Sequence, residues 1–208
     1  MEFVAQELRE YMAKLGIRTV DELVGRSDLL RVRDKLITHR AETLDLSRLL
    51  QNPYGSNVPH FDPAQVYDFH LENTVDVSVL LAKLGKSLKN KKSGKLDLAV
   101  SSTDRSFGTL FGSEITRVCG NDLPDNSYVI TCHGGGGQSF GAFIPKGLTL
   151  ELEGDCNDGF GKGLSGGKLV LYPPKGSPFK PGENIIVGNV ALYGATSGSA
   201  FINGMAGE

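Results

Sequence analysis

Gly161, Gly163 and Gly166 satisfy a GxGxxG spacing, the pattern in which a dinucleotide pyrophosphate rests on the N-terminus of a helix that follows a strand. The next residues, Lys168 to Tyr172, alternate like a strand and run into Pro173 and Pro174. The required helix is missing, so a tight corner is the better reading. A Walker A loop fails as well, because Lys168 is followed by Leu169. Cys132 beside His133 suggests a nucleophile and its base, but neighbours on a strand point to opposite faces. We expect Cys132 to be a buried apolar residue and His133 a turn residue. Asp155, Asn157 and Asp158 offer calcium-type oxygens, but one cluster lacks the regular ladder of a calcium-binding solenoid. Side-chain turn hydrogen bonds account for them. His39, His60 and His70 have no metal-ligand spacing, and no catalytic, cofactor-binding or metal-ligating residue is assigned.

The elements that would position these residues divide the chain in two. Of the 27 glycines, 22 lie at or after Gly108, whereas 16 of the 22 Lys and Arg lie before it. In the first half, Val4, Leu8, Tyr11, Met12 and Leu15 recur at helical spacing and Gly16 follows as the stop. Thr19 and Glu22 form a capping box for a short helix ending near Gly25, and Asp28 to Arg40 is expected to continue helically. Residues 51–65, with Pro53, Gly55, Pro59 and Pro63, read as an extended linker. Val77, Leu80, Leu81, Leu84 and Leu88 predict a further helix with Asp76 as N-cap. The basic run from Lys86 to Lys95 suits that helix's C-terminus without any bound phosphate. Leu96 to Val100 predicts a strand, and Thr103 is expected to cap a helix carrying Phe107, Leu110, Phe111, Ile115 and Val118, stopped by Gly120.

After Tyr128 the pattern becomes short strands separated by glycines. Gly137, Gly141, Phe143 and Ile144 match Gly163, Gly167, Leu169 and Val170, and match again Gly194, Gly198, Ala200 and Phe201. The copies start 26 and then 31 residues apart, with Pro173 to Gly182 as an insertion. Strands are expected over Leu148 to Glu153 and Asn184 to Val187. Such repeats signal a solenoid, in which each unit buries its apolar face on the next, and its sharp turns call for glycine. Three repeats without a polar cap predict a stack that is incomplete at its C-terminus and prone to self-association.

Length and charge set the outer limits. At 208 residues the chain forms one or two domains, and a net charge of −2 gives no general case for nucleic acid or anionic membrane as partner. The three cysteines, Cys119, Cys132 and Cys156, form no CxxC pair and an odd set, so a reducing compartment is expected. Glu2, Glu7, Arg9 and Glu10 break the first segment, which excludes a signal-peptide core, and no continuous apolar run is long enough for a membrane span. A cytoplasmic location is the expectation.

The runs GQSFGAF (137–143), ELEGDCND (151–158), GKGLSGGK (161–168) and IIVGNVALYGATSG (185–198) together resemble the carboxy-terminal GXGXG domain of the glutamate synthase large subunit. FVAQELREYMAKLGIRTVDELVGRSDLL (3–30) resembles the end of that family's flavin-binding barrel, and DRSFGTLFGSEITRVCG (104–120) the helix leading into its β-helix. The resemblance covers nearly the whole chain and is weakest over 51–95. It implies an oxidoreductase that makes two glutamates from glutamine, 2-oxoglutarate and a reductant, using FMN and an iron–sulfur cluster in other domains. The family's amino-terminal cysteine and closely spaced cluster ligands have no counterpart here, so the isolated chain is expected to be inactive and without cofactor. Its implied partners are the remaining domains of the large subunit and a small reductase subunit. Where the family usually has Ser, Ala and Tyr, this chain has Gly135, Gly136 and Gly159, which predicts looser corners.

The expected fold class is α+β: a helical segment followed by a right-handed parallel β-helix, the GXGXG domain. The expected boundaries are 1–50 for the helical barrel end, 51–95 for a linker and helix, and 96–208 for a partial β-helix that scaffolds the catalytic domains. Two alternatives are a stand-alone GXGXG solenoid subunit of a redox complex and a small nucleotide-binding enzyme using GxGxxG.

Overall fold

The computed structural model describes residues 1–33, 38–52 and 62–208. They form two compact units, Met1–Tyr67 and Asp68–Glu208. In the first, α1 (Glu2–Leu15) forms as its spacing requires and ends at Gly16 in the left-handed region, φ 73°. The Gly16 and Ile17 N–H groups return to the Ala13 and Met12 carbonyls. Helix α2 (Val20–Leu23) carries the expected cap, with the Glu22 N–H donating to Thr19 Oγ1 at 3.2 Å. Of the helix expected over 28–40, residues 34–37 lie outside the described residues, and the described residues 30–33 are not helical. There is one 3-10 turn at Ser27–Leu29, an extended Leu30, and a separate helix α3 (His39–Glu42). Two local interactions oppose continuity: Arg26 grips Asp28 with two bonds of 2.8 and 2.9 Å, and Thr38 caps α3 through the Ala41 N–H. A further turn, α4, covers Ser47–Leu50. Most of the linker expected over 51–65, including His60, lies outside the described residues.

The second unit opens with a 3-10 turn at Leu71–Asn73 and a wide π-type turn at Asp76–Leu81 that runs into α5 (Ala82–Lys89). Strand β1 (Gly94–Val100) and helix α6 (Thr109–Cys119) follow. Then come β2 (Tyr128–Gly136), β3 (Leu148–Cys156), β4 (Ser165–Tyr172), β5 (Ile185–Val187), β6 (Ser197–Ile202) and β7 (Met205–Ala206). All pair in parallel in the order β1-β2-β3-β4-β6, with β5 joined to β3 and β7. The architecture is thus helices with one parallel sheet, and that sheet is open.

Register explains the core. Ile130 pairs with Leu150 and Leu150 with Leu169, while Cys132, Leu152 and Leu171 form the next row inward. All six are buried, and each aliphatic side chain contributes about 1.5–3 kcal/mol by leaving water. Leu80, Leu84 and Leu88 from the expected apolar stripe join this cluster, as do Phe111 and Ile115 of α6. Phe111 meets Tyr128 edge to face at 5.4 Å, and the Tyr128 hydroxyl donates to the Lys92 carbonyl. Among the described residues no helix is long and apolar enough to cross a membrane.

Two capping expectations are corrected here. Asp76 does not cap its own helix: its carboxylate accepts from the Gly108 N–H at 2.8 Å and the Phe111 N–H at 3.0 Å, so it caps α6 from 32 residues away in sequence. Thr103 sits in a turn, and α6 starts only at Thr109, after Gly108 at φ 88°. Phe107 therefore lies ahead of the helix. A buried carboxylate reaching two free helix N–H groups is a stronger acceptor than a hydroxyl, and its distance in sequence hides it from local pattern reading.

Candidate functional site

The glycine-rich turns stack into a column. In each, two residues in the left-handed region flank one turned toward the core, a buried Phe in three turns and a half-buried Ala in the fourth: Ser106-Phe107-Gly108, Ser139-Phe140-Gly141, Gly159-Phe160-Gly161 and Val190-Ala191-Leu192. The flanking φ values run from 55° to 88°. The inward residues make a ladder, with the Phe107 and Phe140 rings stacked at 5.3 Å and Phe140 and Phe160 at 6.3 Å. A third left-handed position follows at Phe143, Gly163 and Gly194, with φ 59°, 63° and 67°.

Backbone bonds between tiers fix the stack. The Gly159 N–H donates to the Asn189 carbonyl, the Gly161 N–H to Phe140 and the Gly163 N–H to Tyr193, at 2.8 to 2.9 Å. Alternating φ turns successive N–H groups toward opposite neighbours, which is why each tier is held from both sides. The same bonds bear on the GxGxxG spacing. An anion-binding loop needs unengaged N–H groups at a helix N-terminus, whereas the Gly161 and Gly163 N–H groups already have partners and Ser165–Tyr172 is strand β4. Gly161 and Gly163 thus sit in turns, whereas Gly166, at φ 111°, is a strand residue of β4 beside the register shift between Ser165 and Lys168.

The repeat is partly re-registered. Gly163, Gly167, Leu169 and Val170 align with Gly194, Gly198, Ala200 and Phe201 as expected, since Leu169 pairs with Ala200 and Val170 with Phe201. The first copy does not align. Gly136 pairs with Cys156 and Cys156 with Val187, which places Gly137 level with Asn157 and Gly188. The first spacing is therefore 20 residues instead of 26. The signal missed in the sequence is Ser-Phe-Gly at 106–108 and 139–141 and Gly-Phe-Gly at 159–161.

The other chemical candidates disperse. Cys132 is buried as expected, but His133 is a strand residue, not a turn residue. It stands on the opposite, outer face of β2, where Nδ1 lies 2.8 Å from Glu153 Oε2 and Nε2 3.2 Å from Asp97 Oδ1. Asp158 Oδ1 accepts from the Asn189 N–H in the next tier, so its bond spans tiers where a local turn was expected. His70 lies in the exposed group Asp68, His70 and Glu72, with Nδ1 3.2 Å from a carboxylate oxygen of each neighbour. His39 is exposed on α3. A pocket of about 480 Å³ is lined by His70, Val75, Asp76, Arg105, Phe107 and Leu110, and the Asp76 oxygens bordering it are engaged by α6. The cysteines do not suit an iron–sulfur cluster. Cys119, Cys132 and Cys156 are all buried, and burial pushes the Cys132 and Cys156 thiols upward, Cys156 to about 12, against the thiolate a metal requires.

Gly136 among the divergent glycines is not loose. A Cβ there would lie 2.8 Å from Leu152 Cδ2 and 2.9 Å from Cys156 Sγ. Gly135 has more room, its nearest neighbour being Asp155 Oδ1 at 3.4 Å.

Comparison with known proteins matches residues 76–208 to the family described as GXGXG motif. The whole chain is 43% identical to the glutamate synthase [NADPH] large chain of Bacillus subtilis, covering 14% of that protein. Over 99% of the chain it is 46% identical to glutamate synthase [NADH] of Schizosaccharomyces pombe, covering 10% of it. It is 35% identical to ferredoxin-dependent glutamate synthase 2 of Synechocystis sp. over 99% of the chain and 13% of that protein. The chain thus spans between 10% and 14% of the length of these relatives.

Proposed function

The chain belongs to the GXGXG family, and from that premise we propose that it serves as the GXGXG scaffold of a glutamate synthase large chain. In this reading the stacked tiers are coils of a right-handed β-helix, partial within 96–208. Residues 1–50 form the end of the flavin-binding barrel, and 51–95 form the linker and helix between them. The whole protein makes two glutamates from glutamine, 2-oxoglutarate and a reductant. FMN and the iron–sulfur cluster sit in its other domains, and it works in the cytoplasm with a small reductase subunit as a further partner.

The observation that carries the reading is the corner column itself. Its backbone donors are consumed in holding tier to tier and its inward side chains are apolar, so it offers rigidity instead of a reactive centre. Relatives named for NADPH, NADH and ferredoxin match the same segment over 99% or more of this chain. A segment shared across three donors suits a scaffold that does not choose the donor.

The test places Gly163→Val, and separately Lys162→Ala, in the full-length large chain. Flavin content and glutamine-dependent glutamate formation are then measured. The expected result is loss of assembly and activity with Gly163→Val and near-normal behaviour with Lys162→Ala. Full activity in a Gly163→Val enzyme whose corner region has become protease-sensitive would refute the scaffold role.

A further inference from the structure

Three strands carry a row of polar side chains across the outer face of the sheet. Ala99 of β1 pairs with His133 of β2, and His133 with Glu153 of β3. The small Ala99 leaves the imidazole open to Asp97, two residues earlier on the same face of β1. His133 Nδ1 lies 2.8 Å from Glu153 Oε2, and Nε2 lies 3.2 Å from Asp97 Oδ1 and 3.3 Å from Oδ2.

An ionised carboxylate only accepts hydrogen bonds, and a neutral imidazole has one N–H to give. Both ring nitrogens here face carboxylates, so satisfying both contacts requires the doubly protonated ring. From this geometry we propose that His133 is a proton-operated clasp, tying edge strand β1 to β3 through Asp97 and Glu153 when charged and releasing β1 when neutral. The neutral ring keeps one partner. The shorter contact, from Nδ1 to Glu153, is the one retained, and the Nε2 lone pair then opposes the Asp97 carboxylate.

The surroundings favour the charged ring. From β1 the outward-facing charges are Asp97 and Lys95, and from β3 they are Glu151, Glu153 and Asp155. Beyond β4, the Lys175 N–H approaches Glu153 Oε1 at 3.4 Å, while the Tyr172 hydroxyl donates to Glu151. The Asp97 and Glu153 hydrogen bonds both raise the His133 pKa above its ordinary 6.5, outweighing the opposing desolvation. The clasp is therefore closed below that ordinary value and opens as pH rises through the higher folded value. Strand β1 is the element free to respond, because among the described residues it pairs with β2 alone.

Nitrogen-15 NMR of the 208-residue chain reads the ring directly, and amide exchange at Leu96 and Leu98, corrected for intrinsic pH dependence, reads β1. The expected result is both ring nitrogens protonated at pH values where a free histidine is neutral. It includes a several-fold rise in β1 exchange above the His133 midpoint, a step that disappears in Asp97→Asn and in His133→Gln. A midpoint at or below 6.5, or an unchanged exchange step in Asp97→Asn, would overturn the clasp.

Discussion

Phe143 and Gly163 occupy the same position in successive corners, and the Phe143 ring fills the space that a Cβ on Gly163 would need. Both are left-handed, at φ 59° and 63°. Gly194, one tier further, has φ 67° but nothing within 4 Å of a built Cβ. The two glycines thus separate backbone strain from crowding. Gly194→Val should cost about 1–3 kcal/mol from conformation alone. Gly163→Val should cost more, because the ring must also swing out, and adding Phe143→Ala should recover part of the excess. Denaturant melts of Gly194→Val, Gly163→Val, Phe143→Ala and the Gly163→Val/Phe143→Ala double variant decide this, and equal losses at Gly163 and Gly194 with no coupling to Phe143 would contradict it.

Local rules made the helices and strands of the repeat region legible. The end of α1 at Gly16, the Thr19 cap, β1 and the third repeat copy all follow from spacing and turn chemistry. What stayed hidden depends on contacts distant in sequence. Asp76 has the residue type of an N-cap and sits ahead of an apolar stripe, yet its partners are Gly108 and Phe111. The first repeat copy was misplaced because alignment followed glycine, whereas the structural constraint is a left-handed φ met by Ser106, Ser139, Phe143, Val190 and Leu192 as well. His133 was misread because Gly134 to Gly136 suggest a turn, while all three pair within the strand.

The buried cysteines give a second expectation. Thiol reactivity requires the thiolate, and burial pushes both thiols up, Cys156 to about 12. In the folded chain both should resist an aromatic disulfide reagent at mildly alkaline pH, and both should react promptly once the chain is unfolded in denaturant. Mass spectrometry of the labelled peptides reports each site. Rapid native labelling of Cys132 would mean that the sheet face it occupies opens readily.

Asp76 offers the sharpest test of the second unit, because one carboxylate joins the π-type turn to the start of α6. It is only 3% exposed. Asp76→Ala would leave the Gly108 and Phe111 N–H groups without their acceptor in a buried place, which costs about 1–3 kcal/mol per unsatisfied group. Asp76→Asn keeps one acceptor oxygen and should lose less. The pH dependence has a definite sign. Burial raises the carboxyl above its ordinary 3.8, against the opposing pull of the Gly108, Phe111 and Leu110 N–H groups. Folding therefore takes up protons between the two values, so the contribution of this group is greatest below 3.8 and is lost as pH rises through the folded value. Melts of wild type and Asp76→Asn from below that pH to neutrality should differ by this component, with the gap between them changing monotonically as Asp76 ionises. A gap independent of pH would show that Asp76 titrates alike in the folded and unfolded chain, and a Gly108 amide as protected in Asp76→Ala as in wild type would remove the capping role itself.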